Sequence, residues 1–505
     1  VDKNPDRRQF LRAASALGLG AGLGGLVSVT PTHASELIVN PEAVRLRPEI
    51  EPVVRWIEET PRDRVFEVAL KQLRDGLSYR DLMAGLFLAG IRNIKPRPVG
   101  FKFHAVMVIN SAHLLAQTAR VEERLLPMFW ALDNFKSSQA QDVKEGDWTL
   151  SAVDEARVPS PAQANATFTK SMESWDADAA DAAVAGLCRS AGAAEVMEAF
   201  WRYAIRDQRN IGHKPIFAMQ CWRTLHAIGW EHAEPELRSL AFGLLDLQQD
   251  SQAAPLGPYD SNLERTRAIR ADWPVGRADR SATRSLVDAI RQGSPDQAAD
   301  KAVELLNAGI APQALWDAVV LSAGELMVRS PGILALHAVT STNALHYIHT
   351  VSGDDTNRKL ALLQAVGWIP LFRDRVKPPA EPDLLALEPA DPVGQGPEAV
   401  AEIFNELERD RQVALRKAMG YLEKGGSADA IYALGRTLIF HKGRDSHDYK
   451  FGAAAWEEHR LVSDPAWQPA LLASSLIHIP GSARQDSPLM RRARDAVEQV
   501  LGGKA

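Results

Sequence analysis

The chain has 505 residues, 46% of them hydrophobic and 24% charged, with a formal net charge of -6. Those proportions suit an ordinary globular protein with ample surface to bury, and so mild an acidity gives no reason to expect nucleic acid or an anionic membrane as partner. The two cysteines, Cys188 and Cys221, lack the spacing of a zinc or redox motif and read as buried, inert thiols.

At the start, Asp6-Arg7-Arg8-Gln9-Phe10-Leu11-Arg12 resembles the twin-arginine export motif. A weakly apolar run from Ala13 to Val29 follows, then Thr32-His33-Ala34 with small residues where a signal peptidase reads. Residues 1–34 are therefore expected to be a signal peptide, handled by the twin-arginine machinery and cleaved after Ala34. The mature chain would be periplasmic or secreted. The run is short for a bilayer span and no later apolar stretch approaches that length, so no permanent membrane span is expected.

Helical periodicity dominates the rest, with little strand-like alternation. Helices are expected over Pro41 to Glu59, Pro61 to Asp75, and from Ser78 as N-cap to about Asn93. His104-Ala-Val-Met-Val-Ile-Asn-Ser-Ala-His113 forms the next, followed by Arg120 to Phe135. A polar, proline-containing insert covers Ser138 to Gln163. Helices resume over Asp176 to Ala191, Ala194 to about Asp207, His213 through His226, and Glu234 to Gln248. A loop-rich stretch runs from Asp250 to Arg280.

The pattern then starts again. His337-Ala-Val-Thr-Ser-Thr-Asn-Ala-Leu-His346 repeats the motif H-A-V-x-x-x-N-x-x-H at an offset of 233 positions. Ala69, Leu73 and Gly76 meet Ala302, Leu306 and Gly309 at that offset. With one residue of drift, His213, Phe217 and Trp222 meet His447, Phe451 and Trp456. A second insert, Lys377 to Pro397, sits where the first did. Matched leucines arise by chance in amphipathic helices; matched His, Asn and Trp do not. The expected architecture is all-α, with two tandem pseudo-symmetric helical halves, 35–250 and 286–505, joined by a linker at 251–285 and packed around a shared site.

The duplication sorts the histidines into three pairs: His104 with His337, His113 with His346, and His213 with His447. Two copies that each offer two imidazoles can surround one ion, and neutral imidazole suits Fe, Zn, Cu or Ni. Nine residues of helix is a rotation of about 180°, so the two histidines of one motif face opposite ways, while Asn110 lies about 60° from His113. One histidine of each motif is thus a candidate ligand and the other a supporting or alternative one. The choice falls on His104 and His337, with His113, His346, Asn110, Asn343 and His441 in the second role. His213 and His447 each open a helix after a short break, a rigid mount for a ligand. The competing reading makes all six histidines hydrogen-bonded core residues. Lys442, five residues before His447, is either a solvated lysine or, if carboxylated, an anionic oxygen donor to a divalent ion. Phe217, Trp222, Tyr449 and Trp456 are candidates for an aromatic substrate pocket, or for plain core. No flavin, dinucleotide or phosphate loop is present, and neither is a G-x-S-x-G elbow.

The order of these motifs resembles the questin oxidase-like family. It rests on Gly212-His213, Leu336-His337-Ala338-Val339-Thr340 and Ser446-His447-Asp448-Tyr449-Lys450-Phe451. That resemblance implies a non-haem Fe(II) enzyme that uses O2 on a polycyclic quinone-like compound. It implies His104, His213, His337 and His447 as ligands and Lys442 as a carboxylated lysine. The functional expectation is an exported, metal-dependent oxygenase acting on an aromatic or quinone-like small molecule. Two alternatives stand beside it: a non-catalytic helical-repeat binding protein of the periplasm, and a zinc-dependent hydrolase using the same histidines.

Overall fold

The computed structural model describes residues 42–247, 257–376 and 383–502. The expected signal, residues 1–34, lies outside them, as do parts of the loop-rich stretch and of the second insert. The described residues form 22 α-helices, and their only β-structure is two isolated bridges, Ala43 with Ser151 and Arg277 with Ile310. The fold is all-α. No helix among the described residues is long and apolar enough to cross a membrane. Cys188 and Cys221 are free thiols, and burial pushes the Cys221 thiol well above its ordinary range.

In chain order the first helices are α1 (Glu51–Glu59), α2 (Val65–Arg74), α3 (Tyr79–Asn93), α4 (His104–Gln117) and α5 (Leu126–Lys144). Next come α6 (Pro161–Glu173), α7 (Ala177–Ser190), α8 (Ala193–Ala204), α9 (His213–Ile228) and α10 (Ala233–Leu244). Then follow α11 (Tyr259–Ala268), α12 (Arg280–Gln292), α13 (Pro295–Asn307), α14 (Pro312–Arg329), α15 (Ile333–Val351) and α16 (Asp355–Arg373). The last are α17 (Pro397–Glu406), α18 (Arg411–Glu423), α19 (Ala428–Lys442), α20 (Ser446–Leu461), α21 (Gln468–Ser475) and α22 (Pro488–Gly502).

Local chemistry explains most of these ends. Ser78 caps α3 by accepting the amide of Asp81, and Asp176 caps α7 by accepting that of Ala179. Proline opens α6, α13, α14 and α17 in the first turn, where its missing N–H costs nothing. Three expectations need correction. α1 begins at Glu51 instead of Pro41, because Pro48 and Pro52 bar an earlier helix and Val44 pairs with Leu150. The first insert is helical at both ends: α5 runs on to Lys144 and Pro161 opens α6. The loop-rich stretch contains α11.

The chain divides into two compact units. The first comprises residues up to Ala193, Gln220–Asp246 and residues from Asp486 onward; the second comprises Ala194–Met219 and Leu247–Gln485. In the first, a buried Arg92 ties Glu51 and Glu58 of α1 to α3. In the second, α15 packs against α14, α16 and α20. Its α15 is buried along almost its whole length, from Ala335 to His349, which holds His337 and His346 in fixed rotamers.

Candidate metal centre

Histidines 104, 213, 337 and 447 are brought together: each offers a ring nitrogen, and these nitrogens all lie within 4.8 Å of one another. His104 is the first residue of α4 and follows the left-handed pair Gly100 and Phe101. His337 is in the second turn of α15, and its Nδ1–H donates to the carbonyl of Ile333 at 2.7 Å.

His213 and His447 stand at helix starts built in different ways. Before His213, Asn210 and Ile211 have φ of 56° and 50°, and Gly212 has φ of 80°. Asn and Gly adopt left-handed backbone readily, whereas a β-branched Ile does so at a cost of about 1–3 kcal/mol. The turn is held because a buried ion pair, Lys214 to Asp207 at 2.9 Å, straps it, and Asp207 also accepts the amide of Arg209. Any side chain at Gly212 would place its Cβ 2.7 Å from that of Ser341 on α15. The strained turn aims the carbonyl of Asn210 at His213 Nδ1. His447 instead sits inside a capping box: Asp445 and Asp448 satisfy each other's amides, and Asp445 also accepts His447 Nδ1–H at 2.6 Å. That bond holds the Asp445 carboxyl well below the usual carboxylate range.

Those hydrogen bonds decide the tautomers. A carbonyl oxygen only accepts, so Nδ1 carries the proton in both His213 and His337, and their neutral rings present a bare Nε2. The two Nε2 atoms face each other at 3.0 Å, and the rings of His337 and His447 lie 5.2 Å apart. Two lone pairs at that distance repel unless a cation lies between them. A proton is disfavoured: burial first, then neighbouring His337 and Lys450, holds His213 well below its ordinary range. Burial and Lys450 do the same to His337, and burial lowers His447 against the pull of Asp445. Neutral imidazoles with Nδ1 anchored and Nε2 converging are the form in which histidine binds metal. A four-histidine group of this kind can hold a metal ion.

A second lysine, Lys450, lies at this group. Lys450 is 3% exposed, its charge bears on His213, His337 and His447, and burial pushes its ammonium down to about 7. Lys442 ends α19 and its Nζ donates to the carbonyl of Arg484. The signal for Lys450 was in the sequence: three residues beyond His447 on one helix is a rotation of about 300°, which returns it to the same face.

No protein-family model matches the chain, and no curated protein or solved structure is significantly similar to it. The arrangement itself is therefore the ground for any functional reading.

The remaining candidates fall outside the group. His113 lies between Tyr79 Oη and Gln117 Nε2, and Asn110 donates to Gln220. His346 pairs with Glu458 at 2.7 Å, and Asn343 donates to Glu457 and Glu458. His441 sits in the last turn of α19. Among the expected pocket aromatics, Phe217 and Tyr449 are fully buried, and Tyr449 stacks on Phe440. Trp456 packs on Tyr432 and donates to Ser475, while Trp222 meets His226 and Trp230 edge-on. Tyr449 and Trp456 are core of the second unit, because α20 is buried on nearly every face there.

Proposed function

We propose that the protein is an exported, metal-dependent oxygenase of the non-haem iron type, acting on an aromatic or quinone-like small molecule. The observation that carries the reading is the convergence of four imidazole rings, three of them anchored through Nδ1 by Asn210, Ile333 and Asp445. When bound, an iron ion supplies redox activation of O2. A catalytic zinc site keeps three protein ligands and an open fourth position, so four histidine donors fit a metal of higher coordination number better. Export rests on Arg7-Arg8 and the apolar run behind them.

Four neutral imidazoles leave the charge of a divalent ion uncompensated. Lys450 would supply the remedy under this reading: a neutral Nζ would add CO2 and release a proton, giving a carbamate whose negative charge would offset that of the ion. Support comes from its burial and its place three residues after His447. The anchored Nδ1 protons keep the orientation of three rings, His213, His337 and His447, fixed, and burial around His213 and His337 excludes water from the donors.

Protein purified without chelators is expected to hold one iron per chain and to consume O2 with an aromatic substrate. His213→Ala and His447→Ala lose the metal while keeping helical circular dichroism. Intact-mass measurement is expected to show one added CO2 on the wild type and none on Lys450→Gln. Protein that never carries stoichiometric metal overturns the reading.

A further inference from the structure

The α15–α20 seam is fixed at two points. At one end the rings of His337 and His447 meet; at the other, Asn343 and His346 of α15 bond Glu458 of α20. Between these points the helices do not close. A cavity remains, walled by Val339 and Thr342 from α15 and by Phe451, Ala455 and Glu458 from α20. Gly324 of α14 forms part of the outer wall; its bare Cα allows α21 close, since a Cβ there would stand 2.8 Å from Ser474 Oγ. Phe451 follows His447 by one helical turn, about 6 Å along the axis.

The space takes about one water-sized body. A water would need two to four polar partners, and three of the polar side chains around it are already engaged. Ser474 and Ser475 donate to the carbonyls of Leu471 and Leu472 at 2.7 Å each. Glu458 accepts from Asn343 through one oxygen and from His346 through the other, at 2.8 and 2.7 Å. Beyond these, one hydroxyl, that of Thr342, and the Met327 thioether interrupt a wall that is otherwise hydrocarbon, so a water would find at most one free strong partner. A small apolar body suits it better than water does, as in dry cavities that take up xenon.

We propose that this cavity is a holding site for a diatomic apolar gas, dioxygen under the oxygenase reading on which this inference rests, one helical turn from the histidine group it feeds. Large aromatic substrates are excluded from it by size. The charged pair Glu458–His346 pins the far end of the seam, so the opening persists without a ligand.

Crystals of the wild type and two variants pressurised with xenon test this, with metal content measured on the same preparations. Ala455→Leu fills the cavity, and Thr342→Val keeps its volume while removing its hydroxyl. Xenon is expected between Val339 and Phe451 in the wild type and in Thr342→Val, and to be lost in Ala455→Leu. Should Ala455→Leu fail to fold, Val339→Ile fills the opposite wall and is expected to lose xenon likewise. An ordered water bonded to Glu458 in place of xenon overturns the proposal. Nitric oxide serves as an optical probe on the Fe(II)-loaded protein: its association is expected to slow about tenfold in the filled variant and to be unchanged in Thr342→Val. An unchanged rate after xenon binding is abolished overturns delivery to the metal. If the protein holds no iron at all, the oxygenase reading fails while the xenon result still stands or falls by itself.

Discussion

Two helices carry the same spaced motif and use it differently. In α4 and in α15 the first histidine, His104 or His337, belongs to the four-histidine group. The second histidine and the asparagine do not. In α4 their partners are neutral: His113 sits between Tyr79 and Gln117, and Asn110 bonds Gln220. In α15 the partners are charged: His346 meets Glu458, Asn343 bonds Glu457 and Glu458, and the ring of His346 stacks on Trp316 with centroids 4.4 Å apart. One polar pattern thus produces a donor on one face and an anchor on the other, as a rotation of about 180° over nine residues requires. What the anchor grips depends on the neighbouring helix, which the motif itself does not record.

The largest effect expected from this division of labour is in metal content. His337→Ala removes a donor whose Nε2 lies 3.0 Å from that of His213, and metal is expected to be lost outright. His346→Ala on the same helix is expected to retain it, because that side chain faces Glu458 and Trp316. In the first motif, His104→Ala should lose metal and His113→Ala keep it. Retention in His337→Ala, or loss in both members of a motif with the fold intact, would break the distinction between donor and anchor.

Next in size is stability. Glu458 and His346 are 2% and 3% exposed, and removing one member of a buried pair leaves the other without compensation. Glu458→Ala is expected to cost about 3 kcal/mol in denaturant unfolding. Tyr79→Phe, which removes the 3.2 Å bond to His113, should cost about 1 kcal/mol, the worth of a neutral hydrogen bond. Equal losses in the two variants would mean that the charged anchor is no stronger than the neutral one.

The helical class was legible because 3.6-residue periodicity survives in any amphipathic stretch. The four histidines were legible because two copies of a motif restrict chance more than one does. Much else was not. Nothing in Asn210-Ile211-Gly212 announces three consecutive left-handed residues, since the isoleucine opposes that conformation and tertiary contacts such as the Lys214–Asp207 pair and the close approach of Ser341 enforce it. Lys442 lies near His447 along the chain, whereas side chains meet by helical face, and by that rule Lys450 shares the face of His447. Tyr449 and Trp456 looked like pocket walls because aromatic residues at helical spacing read the same whether they line a site or fill a core.

The smallest effect is the most discriminating, because the two anchors should respond to pH with opposite sign. Burial holds His113 below its ordinary range. Its unfolded form therefore binds a proton more readily, and stability is lost as pH falls from about 6.5 through the depressed folded value. Burial lowers His346 too, but the charge and hydrogen bond of Glu458 outweigh it, and the net shift is upward. Its contribution is fully present below about 6.5 and fades as pH rises through the raised folded value. Unfolding free energies measured between about pH 5 and 8, where ordinary carboxylates stay ionised, should separate the variants. His113→Ala removes an acid-side penalty, so its deficit relative to the wild type shrinks as pH falls. His346→Ala removes an acid-side gain, so its deficit grows. Contributions from the metal group are common to the wild type and both variants and drop out of each difference. Slopes of one sign in both variants would show that the two copies of the motif anchor their helices by the same chemistry.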